Sequence, residues 1–292
     1  MFPLDSLKTK KFEPRESEKI GEGSYGKIYL HKSKIYKCIH VMNDQEVRDA
    51  LDEIEIHNIC YQYTKDFQND ITIANIPRIY DVFRTNTSIV IVMQNVGKTF
   101  YDVMRSKIKK NVSKKKLLRQ VCSVVYQISE LLLLLQKKFN FSHRDLHTSN
   151  VMLLPSRKKN NCDDQLYKTY IIDFGFARIQ KGKKVIHGKT FFKNPKFNPR
   201  FDMTLLMFDI FYYTFRCDFN SCKFYLPKEV LEFWISILNS TGVNFKKLMN
   251  DDVLDRIGLY HAFMKFHKVS NEMTSIPYIQ KKIKEIIHKL CN

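Results

Sequence analysis

No aliphatic run in the chain is longer than Leu131–Leu135, whereas crossing a bilayer takes roughly 20 apolar residues, so a membrane span is not expected. The opening stretch MFPLDSLKTKKFEPRESEK turns polar after four residues and carries no apolar h-region, so no secretory leader is expected either. C-x-x-C pairs are absent. The seven cysteines (Cys38, Cys60, Cys122, Cys162, Cys217, Cys222, Cys291) are scattered and odd in number, which excludes a disulfide framework and predicts reduced thiols in an intracellular setting. Only Cys217 and Cys222 lie close together, and no His or second Cys pair completes a zinc site beside them. Carboxylates are scarce: 30 Asp and Glu stand against 49 Lys and Arg, a formal net charge of +19. There is no repeat period and no low-complexity linker.

What remains is ample for a core. A chain of 292 residues with 44% apolar and 13% aromatic residues makes one large domain or two modest lobes, and disorder is excluded for most of it. The basic runs are Lys107–Lys110, Lys114–Lys116, Arg157–Lys159 and Lys181–Lys184, with more at Lys281, Lys282, Lys284 and Lys289. Four readings stay open for them: a solvated Lys-rich surface, an acidic substrate, a nucleic-acid surface, or electrostatic retention in a DNA-rich compartment.

Periodicity divides the chain. Residues 16–41 alternate apolar and polar around a glycine cluster, with Ile28, Leu30, Ile35 and Cys38 expected inward. Val47, Leu51 and Ile54 predict a helix over 44–63, and IPRIYDVF and SIVIVM predict two more strands around a TNTS turn. Five strands and one helix therefore precede Gln94. Helix follows from FYDVMRSK onward, with one long amphipathic helix over 114–139 and a mostly helical tail beyond Phe201. The fold class is α+β, a small β-rich lobe (1–96) before a larger helical lobe (97–292).

Three segments carry chemistry. Gly21-Glu22-Gly23-Ser24-Tyr25-Gly26 precedes a strand rather than a helix, so its glycines bend a hairpin whose backbone N–H groups can approach phosphate oxygens. Lys37, 16 residues beyond Gly21 on the next strand, can reach those phosphates, with Ile35 and Cys38 expected to face away. His143-Arg144-Asp145-Leu146-His147-Thr148-Ser149-Asn150 follows the long helix, and Asp173-Phe174-Gly175 follows Tyr170-Ile171-Ile172. An Asp and an Asn five residues apart can accept a hydroxyl proton and ligate Mg²⁺, and a second carboxylate completes the metal site.

In this order and at these spacings the chain resembles the eukaryotic protein kinases over nearly its whole length. The resemblance implies a bilobal fold and Mg²⁺- and ATP-dependent transfer to protein serine or threonine hydroxyls. It implies that Gly21, Gly23, Gly26 and Ile28 cover the nucleotide, that Lys37 pairs with its phosphates, that Asp145 is the base, and that Asn150 and Asp173 hold Mg²⁺. Glu53 is the best candidate to orient Lys37, with Glu46 and Glu55 as alternatives. Val92-Met93-Gln94-Asn95-Val96-Gly97 resembles a gatekeeper and hinge, with Met93 lining the adenine pocket and Gln94 to Val96 offering backbone hydrogen bonds.

Three departures stand out. His147 occupies the place where serine/threonine enzymes usually carry Lys, and H-R-D-L-H is similar to the haspin-type kinases. More loosely, it is similar to the loop of aminoglycoside and choline kinases. Residues 155–169 form a long polar stretch, expected as a surface hairpin. No A-P-E motif follows Asp173; Asn198-Pro199-Arg200 is the nearest candidate, and Asp202 resembles the Asp that opens the central helix of the large lobe. The activation segment, 173–200, has no acid after Asp173 and one hydroxyl, Thr190, which is expected to be dispensable. Such compact, basic, Lys- and Asn-rich kinases are similar to those of large cytoplasmic DNA viruses of the African swine fever virus and poxvirus groups. That similarity implies virion or host-cytoplasm residence and substrates among core or DNA-binding proteins; the basic segment predicts acidic or phosphorylated sequence beside the accepted hydroxyl, and a monomer is expected. The rivals are a pseudokinase scaffold with a basic partner face and a small-molecule kinase.

Overall fold

The computed structural model describes residues 7–15, 18–23, 26–159, 165–189, 199–210 and 276–291, together with Glu232. Tyr25, Thr190, Cys162, Cys217 and Cys222 lie outside the described residues. The first half is a five-stranded antiparallel sheet in the order β1-β2-β3-β5-β4: β1 Lys19–Gly23, β2 Gly26–His31, β3 Lys34–His40, β4 Ile79–Arg84 and β5 Ser88–Gln94. One long helix, α1 (Asp44–Thr64), crosses it. Its start is written locally. Asn43 Oδ1 accepts the Glu46 N–H at 3.0 Å, and Glu46 Oε2 reaches back to accept the Met42 N–H at 2.6 Å.

Strand parity divides the sheet into two apolar layers. Ile35, Ile39, Ile89, Ile91 and Met93 pack under α1 with Val47, Leu51 and Ile54. On the other face Tyr36, Cys38, Phe83, Val90 and Val92 pack with Phe12. The Phe12 ring stacks on Tyr36 at 4.7 Å between centroids. Its segment runs along the β4 edge, where Lys10 N–H donates to Arg84 O and Arg84 N–H to Lys8 O. Two expected facings are corrected by this parity. Ile35 shares the α1 side with Lys37, two residues on, and Leu30 is 37% exposed while its neighbour Tyr29 is buried.

The second half is built on α3 (Lys114–Phe139), preceded by α2 (Phe100–Lys109). Ser113 Oγ caps α3 on the Lys116 N–H, and Asn140 ends it in the left-handed region at φ 44°. By length and composition alone α3 is long and apolar enough to cross a membrane. Here its apolar side is buried in the largest core, against β8 (Gln165–Ile171) and the last helix α5 (Ile276–Cys291). β8 pairs with β7 (Val151–Lys159), and β7 with the two-residue β6 (Lys98–Thr99), so the polar stretch is the hairpin expected. A second hairpin, β9 (Arg178–Lys181) and β10 (Lys184–His187), follows Asp173. α4 (Phe201–Ile210) is buried along its whole length. The architecture is α+β.

Candidate active site

The glycine hairpin owes its shape to one contact. A Cβ at Gly26 would stand 2.0 Å from the Cys38 carbonyl oxygen, so only glycine lets β2 lie this close to β3. Gly23 pairs with Gly26 across the hairpin, Gly21 pairs with Ile28, and Ile28 faces Lys37 across the β2–β3 ladder. Met93 is buried at the end of β5, below α1. Gln94 N–H donates to Arg78 O at 2.9 Å, Gln94 Oε1 accepts the Arg78 N–H, and Val96 is buried at the connection that follows. There Gly97 takes φ 97° and lies so close to Leu153 that a Cβ would stand 2.3 Å from its carbonyl oxygen, so only glycine fits.

The centre of the site is an ion triad assembled from β3, α1 and the loop after β8. Lys37 Nζ lies 2.6 Å from Glu53 Oε1 and 2.9 Å from Asp173 Oδ1. Glu53 is thus the helix carboxylate that meets Lys37. Of the alternatives, Glu55 points to Lys184 instead, at 3.4 Å, and Glu46 caps α1. Burial alone would drive the Lys37 ammonium toward neutrality, but the charges of Asp173 and Glu53 outweigh it and raise its pKa. Burial pushes the Asp173 carboxyl up, and the Lys37 charge and hydrogen bond overcome it, bringing it down to about 2. For Glu53 burial is the larger effect and pushes upward against the pull of Lys37.

The catalytic-loop segment is held from below by α4. Asp202 Oδ2 accepts the His143 N–H and Oδ1 the Arg144 N–H, both at 2.7 Å. Asp209 Oδ2 accepts the Thr148 N–H at 2.7 Å and the Thr148 hydroxyl at 2.6 Å. Two turns separate the two carboxylates, so they share one helix face. With its ends pinned, the loop carries Arg144 at φ 67°, a conformation that a residue with a Cβ adopts only under constraint. Asn150 Nδ2 donates to Asp145 O at 2.9 Å and Asp145 Oδ2 at 3.2 Å. His147 Nδ1 accepts the Ser149 N–H at 3.2 Å, and its Nε2 stands 3.1 Å from Asn150 Nδ2 and 3.6 Å from Asp145 Oδ2.

Asp173 also sits at left-handed φ, 65°, and its Oδ1 accepts the Gly175 N–H at 3.4 Å. Phe174 is fully buried against His57, His143 and Phe141, with ring centroids at 4.9, 5.5 and 6.1 Å. Among the described residues no hydrogen bond takes Asp173 Oδ2 or Asn150 Oδ1. A carboxylate and an amide oxygen make a hard, all-oxygen donor pair that suits Mg²⁺ better than a softer ion. The Asp173 side chain is 41% exposed, which leaves its carboxylate open to a ligand, while Asn150 is buried beside Asp145.

Lys37, Glu53 and Asp173 therefore meet directly, Asp145, His147 and Asn150 form a second cluster, and the glycine hairpin and Met93–Val96 flank β3. Two residues of the site escape sequence reading. Asp209 is signalled only by its seven-residue spacing from Asp202 on one helix face. His57 is signalled by standing one turn beyond Glu53 on the buried side of α1. Against this geometry a family model, the protein kinase domain, matches residues 15–199, more than half of the chain. The chain belongs to the protein kinase family. A search of curated proteins returned no match.

Proposed function

We propose that this chain is an active, Mg·ATP-dependent kinase that phosphorylates serine and threonine hydroxyls of proteins. One observation carries the reading: the Lys37 ammonium is held between Glu53 and Asp173 at 2.6 and 2.9 Å, an assembled rather than a dismantled phosphate-positioning set. In this reading the small lobe, 1–96, and the large lobe, 97–292, close on the nucleotide. Gly21, Gly23, Gly26 and Ile28 cover it, while Met93, Gln94 and Val96 receive the adenine. Lys37 orients the phosphates. Asp145 takes the proton of the acceptor hydroxyl as its oxygen bonds to the γ-phosphorus and the bond to the ADP oxygen breaks. His147 stands beside Asp145 and Asn150, in the place of the usual lysine. Magnesium, held by Asn150 and Asp173, supplies neutralisation of phosphate charge when bound. The rest is positioning and fixed charge.

The described part of the activation segment bears Arg178, Lys181, Lys183, Lys184 and Lys189 and no carboxylate beyond Asp173, which supports acceptor sites flanked by acidic or phosphorylated residues. The compact basic segment and the missing A-P-E motif support a viral origin among large cytoplasmic DNA viruses, with virion and host-cytoplasm residence. His147 gives the loop its haspin-like character. Phosphosite mapping on a degenerate peptide library, with an Asp145→Asn control, tests the proposal. The wild type is expected to modify Ser and Thr beside acidic positions, with turnover lowered about 10²- to 10⁴-fold in the variant. Wild-type ATP binding without turnover would establish a scaffold instead. Tyrosine-only modification, or equal rates on acidic and basic peptides, would overturn the substrate class.

A further inference from the structure

The positive charge is concentrated. Between Lys98 and Arg119 stand nine Lys and Arg and a single carboxylate, Asp102, so this short stretch holds eight of the net nineteen charges. That carboxylate is occupied in capping α2: the Thr99 hydroxyl donates to Asp102 Oδ2 at 2.6 Å, and the Asp102 N–H donates to Thr99 Oγ1 at 3.0 Å. Structurally the stretch is α2, the turn after it, and the first turn of α3.

The frame beneath these cations is firmly built. In the turn, Lys110 N–H donates to Ser106 O at 3.1 Å, Asn111 N–H to Ile108 O at 3.0 Å, and Val112 N–H to Lys107 O at 3.1 Å. Asn111 adopts φ 53° to close it, and Phe100, Met104, Leu117 and Leu118 anchor both helices in the core. Lys98, Arg105, Lys109, Lys110 and Lys115 are all exposed on this frame. A merely solvated Lys-rich surface does not need such fixed display. The cations repel one another, and although Lys107 and Lys109 suit the last turn of α2, Lys114 to Lys116 occupy the first turn of α3, where the macrodipole disfavours positive charge. A bound polyanion reverses both penalties.

The surroundings select the polyanion. Exposed large apolar side chains among the described residues (Ile20, Leu30, Met42, Phe67, Tyr80 and Val185) all fall outside 98–119, so the face has nothing to insert into a lipid headgroup layer. Aromatic rings do stand beside the cations. The Arg105 guanidinium lies 5.9 Å from the centre of the partly buried Tyr101 ring, while the Tyr167 ring, 5.4 Å from Lys107 Nζ, is buried in the core and adds no stacking face. A dense run of cations with an accessible ring grips a phosphodiester backbone and tolerates any base.

We infer that α2, the α2–α3 turn and the first turn of α3 form a nucleic-acid-binding face that holds the phosphate backbone without reading sequence. Tyr101 N–H donates to Thr148 O at 3.3 Å, so the face begins beside the catalytic-loop segment. A protein bound to the same strand is thereby brought to the cleft. Binding itself does not depend on the phosphotransfer reading.

The test is fluorescence anisotropy of the full chain with labelled mixed-sequence DNA of about 20 nucleotides, single-stranded and duplex, at about 50 to 200 mM NaCl. Wild type is expected to bind both, with affinity falling steeply as salt rises. The triple variant Lys109→Glu, Lys110→Glu, Lys115→Glu is expected to bind about thirtyfold more weakly and to lose about three from the salt slope. The charge-matched control Lys281→Glu, Lys282→Glu, Lys284→Glu on α5 is expected to lose about threefold or less. Thermal melting of both triples checks that each is folded, and a Lys→Gln version of the first supplies a milder reading. Equal losses in the two triples would reduce the effect to net charge and overturn the assignment. So would absence of wild-type binding at low salt, or tighter binding to phosphatidylserine vesicles than to DNA.

Discussion

Asp202 shows how a single side chain fixes chemistry it does not touch. It is fully buried, and burial pushes its carboxyl up, against His143 and the two backbone N–H groups that favour the charged form. Removing the carboxylate orphans the His143 and Arg144 N–H groups together, at a cost of about 3 kcal/mol. Asp202→Ala is therefore expected to lower the urea midpoint and to cut kcat by about tenfold or more, with KM for ATP nearly unchanged. Asp202→Asn keeps one acceptor and recovers part of both. A kcat equal to wild type in a folded Asp202→Ala protein would show that the catalytic-loop segment does not depend on this anchor. Gly26 is the second decisive position. Its missing Cβ would collide with the Cys38 carbonyl, which is backbone and cannot swing aside. Gly26→Ala must therefore part β2 from β3, and ATP affinity measured by calorimetry is expected to fall about tenfold. Unchanged affinity would remove the hairpin from the nucleotide site.

Elements differ in how openly the sequence declares them. The ends of α3 are written in Ser113 and Asn140, and its apolar stripe is long enough to outvote chance, so its residues could be read directly. Lys37, Asp145, Asn150 and Asp173 were legible because their types and spacings are rare together. The facing of Ile35 was misread because Lys37 was assumed to turn alone into the site, although strand parity carries both to one side. The β9–β10 hairpin was invisible: four-residue strands of mostly polar residues carry no period. Yet this hairpin packs on α1. Lys184 reaches Glu55 at 3.4 Å, and the backbone beyond is clamped, with Gly188 N–H on Ala177 O and Lys189 N–H on Gly175 O. Burial pulls the Lys189 pKa down, against the opposing charges of Asp49, Glu53 and Glu46 on α1. Basic hairpin and acidic helix thus latch onto each other beside the Lys37–Glu53 pair. Thr190→Ala is expected to retain most activity, and a fall below about a tenth would contradict the idea. Lys184→Glu is expected to lower activity severalfold at low salt, since a partly exposed pair is worth about 1 kcal/mol at most. The exchange Lys184→Glu with Glu55→Lys is expected to restore it, and failure to do so would remove the pair from the latch.

At the scale of the whole molecule, sheet and helical half meet at several junctions, and one of them, buried around His57, holds a group whose protonation should affect acid stability. His57, on α1, donates Nε2–H to Pro77 O at 2.7 Å and lays its ring against Phe174, which in turn packs on His143 and Phe141 from the other half. The charged groups facing it are Lys37 and Asp173. Burial, helped by the Lys37 charge and opposed by Pro77 O, pulls its pKa from 6.5 down to about 4. Between those values the unfolded chain binds the proton and the folded chain does not. The stabilising contribution is therefore complete above pH 6.5 and is lost as pH falls toward 4, by at most about 3 kcal/mol. His57→Leu removes the titration and the hydrogen bond to Pro77 at once. It is expected to be less stable than wild type by about 1 kcal/mol at pH 7.5. Its stability should then decline less steeply on acidification, so the gap narrows or reverses by about pH 5. Urea unfolding of both proteins across this range measures the gap directly. Parallel pH curves would mean that His57 titrates alike in the folded and unfolded chain, and acid stability would then be set by other groups.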